Sequence, residues 1–119
     1  MIEETDTTNK FANELPDGTW IFKITGIERF YAPADFWVFS LEYQGGSGQQ
    51  TLFANMLGPL LRCLGCEEKE PNKFVWDSDL QVNKYFKATV GHAPDKKNPA
   101  KIRQHMGGFE KVDDETIPF

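Results

Sequence analysis

Apolar and polar residues alternate with a period of two along much of the chain. In the first such segment Trp20, Phe22 and Ile24 occupy alternate positions, with polar or smaller residues between them. A period of two is typical of β-strands that bury one face and expose the other. The pattern predicts five strands, in residues 19–27, 36–43, 51–57, 84–92 and 101–106.

Local features refine the first two strands and the connection that follows them. Gly26, inside the first strand, indicates a β-bulge that bends the strand. Phe36 and Trp37 are neighbours in the second strand, so their side chains must point to opposite faces. Trp37 shares its face with Phe39, and we therefore expect Trp37 in the core and Phe36 outside. The glycine-rich residues 44–50 predict a flexible hairpin connection.

One short helix is predicted between the third and fourth strands. It begins at Gly58 and Pro59, because proline is tolerated in the first turn of a helix. Leu60, Leu61 and Leu64 form its apolar stripe, and Gly65 suits the left-handed position that ends a helix. Three strands, a helix and two strands are the element order of the OB-fold, a five-stranded Greek-key barrel. A five-stranded SH3-like barrel is the main alternative, although it usually lacks a helix at this point.

The length of 119 residues suits one mainly β domain. Residues 1–15 lack periodicity and are predicted to form a flexible arm, and residues 16–110 form the OB-fold domain. Residues 111–119 form an acidic tail. No segment is apolar enough for a membrane span and residues 1–10 do not resemble a signal peptide, so we expect a cytoplasmic protein.

Charge is distributed unevenly along the chain, whose net charge is −5. Residues 1–16 carry a net −3 and residues 111–119 a net −2, so the segment between them is neutral. Within that segment, residues 84–105 contain six lysines or arginines and one acid, Asp95. A local excess of cations is what binding to a phosphate backbone requires, although lysines also commonly solvate a strand pair.

Aromatic and cationic residues alternate on the predicted outer faces of several strands. Proteins that bind single-stranded nucleic acid combine a positive groove with rings on which bases stack. We expect such a surface on strands four and five and their loop, continued on strands one and two. Ten residues are candidates for it: Lys23, Arg29, Tyr31, Phe36, Tyr85, Lys87, Lys96, Lys97, Lys101 and Arg103.

The last seven residues read Asp-Asp-Glu-Thr-Ile-Pro-Phe. This segment resembles the C-terminal tip of bacterial single-stranded DNA-binding proteins, in which an acidic run precedes a terminal Ile-Pro-Phe. The resemblance implies that the final phenylalanine fills an apolar pocket of a partner protein while the acids meet a basic rim. The compact chain, without a long linker, is most similar to bacteriophage-encoded members. These partner-binding roles fall on Asp113, Asp114, Glu115, Ile117, Pro118 and Phe119.

Together these features predict a protein that binds single-stranded DNA without strong sequence preference during replication, recombination or repair. The tail would recruit replication or recombination proteins. The resemblance also implies a homodimer or homotetramer, located in the host cytoplasm if the protein is phage-encoded. The alternative is an OB-like adaptor that binds only other proteins.

Enzymatic and metal-dependent alternatives have weaker support in the sequence. Cys63 and Cys66 form a Cys-x-x-Cys motif, but a zinc site would need His92 and His105 at unusual spacings. Cys66 is better explained as an apolar residue that packs back on the helix end. A hydrolytic site made of His92, Asp95 and His105 has no accompanying nucleophile or phosphate-binding motif. We therefore expect no enzymatic activity, no cofactor and no metal site.

Overall fold

The computed structural model describes residues 14–31, 35–113 and 117. Strands dominate this part of the chain, with one α-helix and one short 3₁₀ helix. The elements are β1 (Gly18–Phe30), β2 (Phe36–Tyr43), β3 (Gly46–Phe53), α1 (Ala54–Cys63), β4 (Glu67–Glu70), β5 (Lys73–Val75), the 3₁₀ helix (Ser78–Gln81), β6 (Tyr85–Pro94) and β7 (Ile102–Lys111).

Five strands form one antiparallel sheet in the order β3-β2-β1-β6-β7, and β4 and β5 form a separate hairpin. The prediction of a mainly β chain with one short helix after the third strand is confirmed. The two outer strands of the sheet also approach one another. The side-chain amide of Gln104 on β7 donates to the main-chain oxygen of Gln49 at 2.9 Å and to Oε1 of Gln50 at 2.6 Å, both on β3.

The core lies on one face of this sheet, under α1. Phe22, Ile24, Phe39 and Phe86 are fully buried there, as their alternation in the sequence predicts. Trp37 is 8% exposed and belongs to the same core, so the expectation that Trp37 rather than Phe36 points inward is confirmed.

The prediction for residues 44–57 is wrong in two places. Only residues 44 and 45 form the turn between β2 and β3, and the glycine-rich segment that follows is already strand. It pairs with β2 from Gly46 onward, and Gly48 and Gln50 are buried. The third strand ends at Phe53, four residues earlier than predicted, because α1 begins at Ala54 rather than at Gly58.

The end of α1 follows the sequence closely. Gly65 has a φ of 80°, and its N–H donates to the carbonyl of Arg62 at 3.1 Å. The N–H of Cys66 donates to the carbonyl of Leu61 at 3.0 Å. These two bonds form a Schellman motif, in which a residue with positive φ ends the helix at low cost if it is glycine.

The N-terminal segment joins the core before the first strand begins. Most of the predicted arm, residues 1–15, lies outside the described residues, but Leu15 is described and is only 1% exposed. Its N–H donates to Oε1 of Gln104 at 2.7 Å. Towards the other end of the chain, β7 continues to Lys111, five residues beyond the predicted end of the fifth strand at residue 106.

His92 fixes residues 14–17 to β6. Its Nδ1 hydrogen-bonds the carboxylate of Asp17, and its Nε2 lies 3.9 Å from a carboxylate oxygen of Glu14. The bond to Asp17 raises the pKa of His92 above its ordinary 6.5, although burial of the ring acts in the opposite direction. The protonated ring therefore stabilises the folded chain fully below about pH 6.5, and this stabilisation is lost as the pH rises through the higher, folded-state pKa.

We expect the melting temperature to fall as the pH is raised from 6 through the folded-state pKa of His92. Each unit by which the pKa differs between folded and unfolded chains corresponds to about 1.4 kcal/mol. Thermal unfolding followed by circular dichroism at a series of pH values measures the effect. The variant Asp17→Asn should show a much flatter profile between the same pH values. An equally steep profile in this variant would mean that the bond between His92 and Asp17 does not fix residues 14–17 to β6.

Candidate nucleic-acid interface

Three phenylalanine rings lie side by side on the outer face of the sheet, opposite the core. Phe30, Phe36 and Phe53 are cross-strand partners on β1, β2 and β3, and we call them the phenylalanine row. The rings of Phe30 and Phe36 are stacked, with centroids 4.9 Å apart and planes 8° from parallel. The ring of Phe53 lies 5.8 Å from that of Phe36 and its residue is 38% exposed.

A β-bulge in β1 places Phe30 on this face. The register of β1 against β2 shifts between Ile24 and Gly26, at the glycine where the sequence indicates a bulge. A bulge inserts one extra residue and so reverses which positions face the core. Ile27 then packs against the core, and Phe30, which would share the face of Ile24 in a regular strand, points outward.

A cleft of about 440 Å³ lies beside the phenylalanine row, between β3 and β7. We call it the sheet cleft. Val38 and Thr51, which pair across β2 and β3, form its floor next to Phe53, and Met56 from the start of α1 adds an apolar wall. The lining residues are Glu14, Val38, Gln49, Gln50, Thr51, Phe53, Met56, Arg103, Gln104 and His105.

Cations border the sheet cleft at the β7 end. Arg103 lines it, and its Nε donates to Asp95 at 2.8 Å. The other oxygen of Asp95 accepts from the main-chain N–H of Lys97 at 3.0 Å. Both bonds lower the pKa of Asp95, and the bond from the N–H of Lys97 has the larger effect. The loop that Asp95 organises carries three exposed lysines, Lys96, Lys97 and Lys101.

A second group of predicted residues lies at the far end of the same strands. Lys23 pairs with Tyr85 across β1 and β6, on the outer face. Lys87 follows on this face, and its Nζ lies 3.7 Å from the carboxylate of Glu110. Arg103 pairs with Ala93 on β6, and Lys87 lies six residues from Ala93 along that strand. Six residues of a strand span about 20 Å. The outer face therefore carries two cationic groups rather than one.

Arg29 lies on the other face of β1, and Tyr31 directly follows the end of that strand. The guanidinium of Arg29 is 4.5 Å from the ring centroids of both Tyr31 and Trp37, and 3.7 Å from the carboxylate of Asp35. Because neighbouring residues in a strand alternate, the side chain of Arg29 cannot share a surface with Phe30 and Phe36. Of the aromatic candidates on β1 and β2, only Phe36 lies in the phenylalanine row.

Four residues of the phenylalanine row and the sheet cleft are not among the candidates predicted from the sequence: Phe30, Phe53, Val38 and Met56. Phe53 carried a usable signal, because it follows Leu52 within the predicted strand 51–57 and neighbouring residues of a strand point to opposite faces. Phe30 could be placed only by combining the bulge at Gly26 with the pairing to Phe36.

Most of the predicted partner-binding tip lies outside the described residues. This applies to Asp114, Glu115, Pro118 and Phe119. Asp113 is exposed and Ile117 is half-buried. Their proposed contacts with a partner protein remain predictions.

The two cysteines are free thiols and are half-buried. Burial raises the pKa of both Cys63 and Cys66, which disfavours the thiolate that redox catalysis and metal binding require. His92, which a zinc site would need, is bonded to Asp17. In residues 14–31, 35–113 and 117, no group of three or more histidine, cysteine, aspartate or glutamate side chains could hold a metal ion.

Comparison of the chain with models of known protein families and with curated protein sequences gave no match. Among the described residues, no helix is long and apolar enough to cross a membrane.

Proposed function

We propose that this protein binds single-stranded DNA without strong sequence preference, during replication, recombination or repair. The observation that carries the proposal is the phenylalanine row, which presents neighbouring rings on the outer face of β1–β3. Base stacking on aromatic side chains is worth about 1–3 kcal/mol per base and tolerates any sequence, because every base has a π-face. Phe30 and Phe36 are stacked and half-buried, and Phe53 is 38% exposed, so the row leaves apolar ring surface on the outer face. Contiguous apolar surface of this kind is typical of an interaction site.

The proposed fold is an OB-fold barrel. Its five main strands follow the order β3-β2-β1-β6-β7, and α1 stands between the third and the fourth of them. The hydrogen bonds of Gln104 to β3 support closure between the two outer strands. OB-folds bind oligonucleotides on the face of strands 2 and 3 and with their connecting loops. The phenylalanine row and the sheet cleft occupy that face.

The phosphates would contact the cationic loop between β6 and β7. Lys96, Lys97 and Lys101 are exposed there, and Arg103 lies on the wall of the sheet cleft. Lys23, Tyr85 and Lys87 would serve a longer strand at the far end of the sheet. Local cations can bind DNA despite the net charge of −5, since the excess acids lie towards the two ends of the chain.

The C-terminal tip would recruit replication or recombination proteins through its acids and the terminal Ile-Pro-Phe. We further propose that the protein acts as a homodimer or homotetramer in the cytoplasm, as a binding protein rather than an enzyme.

Fluorescence anisotropy with a labelled oligo(dT), measured over a range of salt concentrations, tests the proposal. If about three to five phosphates are neutralised, the logarithm of the affinity should fall with the logarithm of salt with a slope of about −2 to −3.5. The double variant Lys96→Ala and Lys97→Ala should lose about 1.4 of this slope. Lys111→Ala removes an exposed lysine at the end of β7 that has no assigned contact with DNA; this control should keep the slope. Absence of binding at low salt would favour the protein-only adaptor.

A further inference from the structure

A groove of about 480 Å³ separates α1 from the β4–β5 hairpin, outside the interface described above. We call it the helix–hairpin groove. Its aromatic walls are Trp37, Phe74 and Trp76, and the rings of the two tryptophans lie 5.9 Å apart at 48°. Two amide side chains, Asn55 and Asn72, also line it. Aromatic walls with a few amides suit a planar heteroaromatic ligand.

Gly58 keeps the helical side of this groove open. It lies within α1, where glycine is less favourable than most other residues. A Cβ at this position would lie 3.6 Å from Cε2 of Phe74, which is an ordinary van der Waals contact. Packing therefore does not require glycine here, and a long side chain would project into the groove.

The residues that line the helix–hairpin groove are all uncharged. The lining therefore offers a phosphate no ionic partner. A base, which is uncharged and planar, fits it better.

Asn72 offers a hydrogen-bond donor for the edge of a base. Its Oδ1 accepts from Arg62 at 2.8 Å, so the side-chain group left for a ligand is the Nδ2 amide. Glu68 holds this arrangement, because it accepts from Nη2 of Arg62 and from the main-chain N–H of Asn72, both at 2.8 Å. These bonds lower the pKa of Glu68 to about 2, the bond from Arg62 being the larger cause.

The groove adjoins the proposed DNA surface across the first turn of α1. Phe53 and Met56 line the sheet cleft, whereas Ala54 and Asn55 line the helix–hairpin groove. A strand that stacks a base on Phe53 therefore needs to cross only this turn to reach the groove.

We propose that the helix–hairpin groove binds an unpaired base of the same DNA strand, beside the base that stacks on Phe53. This inference rests on the proposed function. Trp76 and Phe74 provide the stacking surfaces, and Nδ2 of Asn72 donates to an acceptor on the base. Trp76 is thereby the tryptophan whose fluorescence reports on DNA.

Two variants, each with one tryptophan, test this site. Trp20→Phe with Trp37→Phe leaves Trp76, and Trp37→Phe with Trp76→Phe leaves Trp20. Trp20 is the control because it packs against Tyr43, at the other end of β2 from Trp37. Saturating oligo(dT), with binding followed by anisotropy, should quench Trp76 strongly and leave Trp20 nearly unchanged.

Substitutions at Gly58 provide an independent test of the helix–hairpin groove as a binding site. Gly58→Leu should fill the groove and lower oligo(dT) affinity by about 5-fold or more, the contribution of one stacked base. Gly58→Ala adds only a methyl group and should keep the affinity. Both variants should melt no lower than the parent protein, since leucine and alanine favour helix more than glycine does.

The possible outcomes separate this site from the proposed function. Oligo(dT) binding that leaves Trp76 unchanged would overturn the groove site and leave DNA binding intact. No binding to the parent protein would overturn DNA binding itself. Quenching of Trp76 by a peptide of residues 111–119, but not by oligo(dT), would assign the groove to a protein tail and also overturn the proposal.

Discussion

Replacing Phe36 and Phe53 together by alanine is expected to weaken oligo(dT) binding by about 30-fold or more. Each ring removed deprives one base of a stacking surface worth about 1–3 kcal/mol, and about 1.4 kcal/mol corresponds to a factor of ten. The rings lie 5.8 Å apart, close enough for consecutive bases of one strand. Anisotropy titrations at a fixed salt concentration measure the change.

Two further variants identify the cause of this loss. Phe36→Leu with Phe53→Leu keeps an apolar surface but removes the rings, so it should lose nearly as much affinity if stacking is responsible. Leu80→Ala, at a residue that is 69% exposed and lies away from the phenylalanine row and the cationic loop, should leave the affinity unchanged. Full binding by the double alanine variant would exclude the phenylalanine row as the DNA surface.

Leu15→Ala is expected to lower the free energy of unfolding by about 2–5 kcal/mol. Leu15 precedes the first strand, yet it is 1% exposed and packs in the main core. The loss would be a large fraction of the stability of a domain of this size, which is about 5–15 kcal/mol. Urea denaturation followed by circular dichroism gives the value.

Leu80→Ala is the matched control for Leu15→Ala. It makes the same chemical change at a residue that is 69% exposed, so its effect should stay within about 0.5 kcal/mol. Similar small effects of the two substitutions would mean that residues 14–17 do not belong to the folded unit. A selective loss at Leu15 would place the start of the domain before residue 16.

The buried faces of the strands could be predicted from the sequence because strand periodicity is a local property. Phe22 and Ile24 alternate with Ile21 and Lys23, and the structure buries the first pair. The same reasoning separated Trp37 from Phe36. Gly65 was equally predictable, since the left-handed end of a helix strongly favours glycine.

The predicted boundaries failed where local propensity and tertiary pairing disagree. Residues 46–50 are rich in glycine and glutamine, which favours a loop. Pairing with β2 nevertheless makes them strand and buries Gly48 and Gln50. Leu15 is similar, because no periodic pattern precedes it and its main-chain N–H is bonded to Gln104, which is 89 residues away.

In the candidate site too, some features follow from the sequence and others depend on the tertiary structure. The sequence by itself determined which residue types are available, namely the cations of residues 84–105 and the aromatic residues at the ends of the first two strands. Only the tertiary structure decided that Phe30, Phe36 and Phe53 form one row and that Arg29 lies on the opposite face. The reason is that the face on which a strand residue lies follows from local alternation, whereas its neighbours depend on bulges, register and strand order, which join residues distant in the chain.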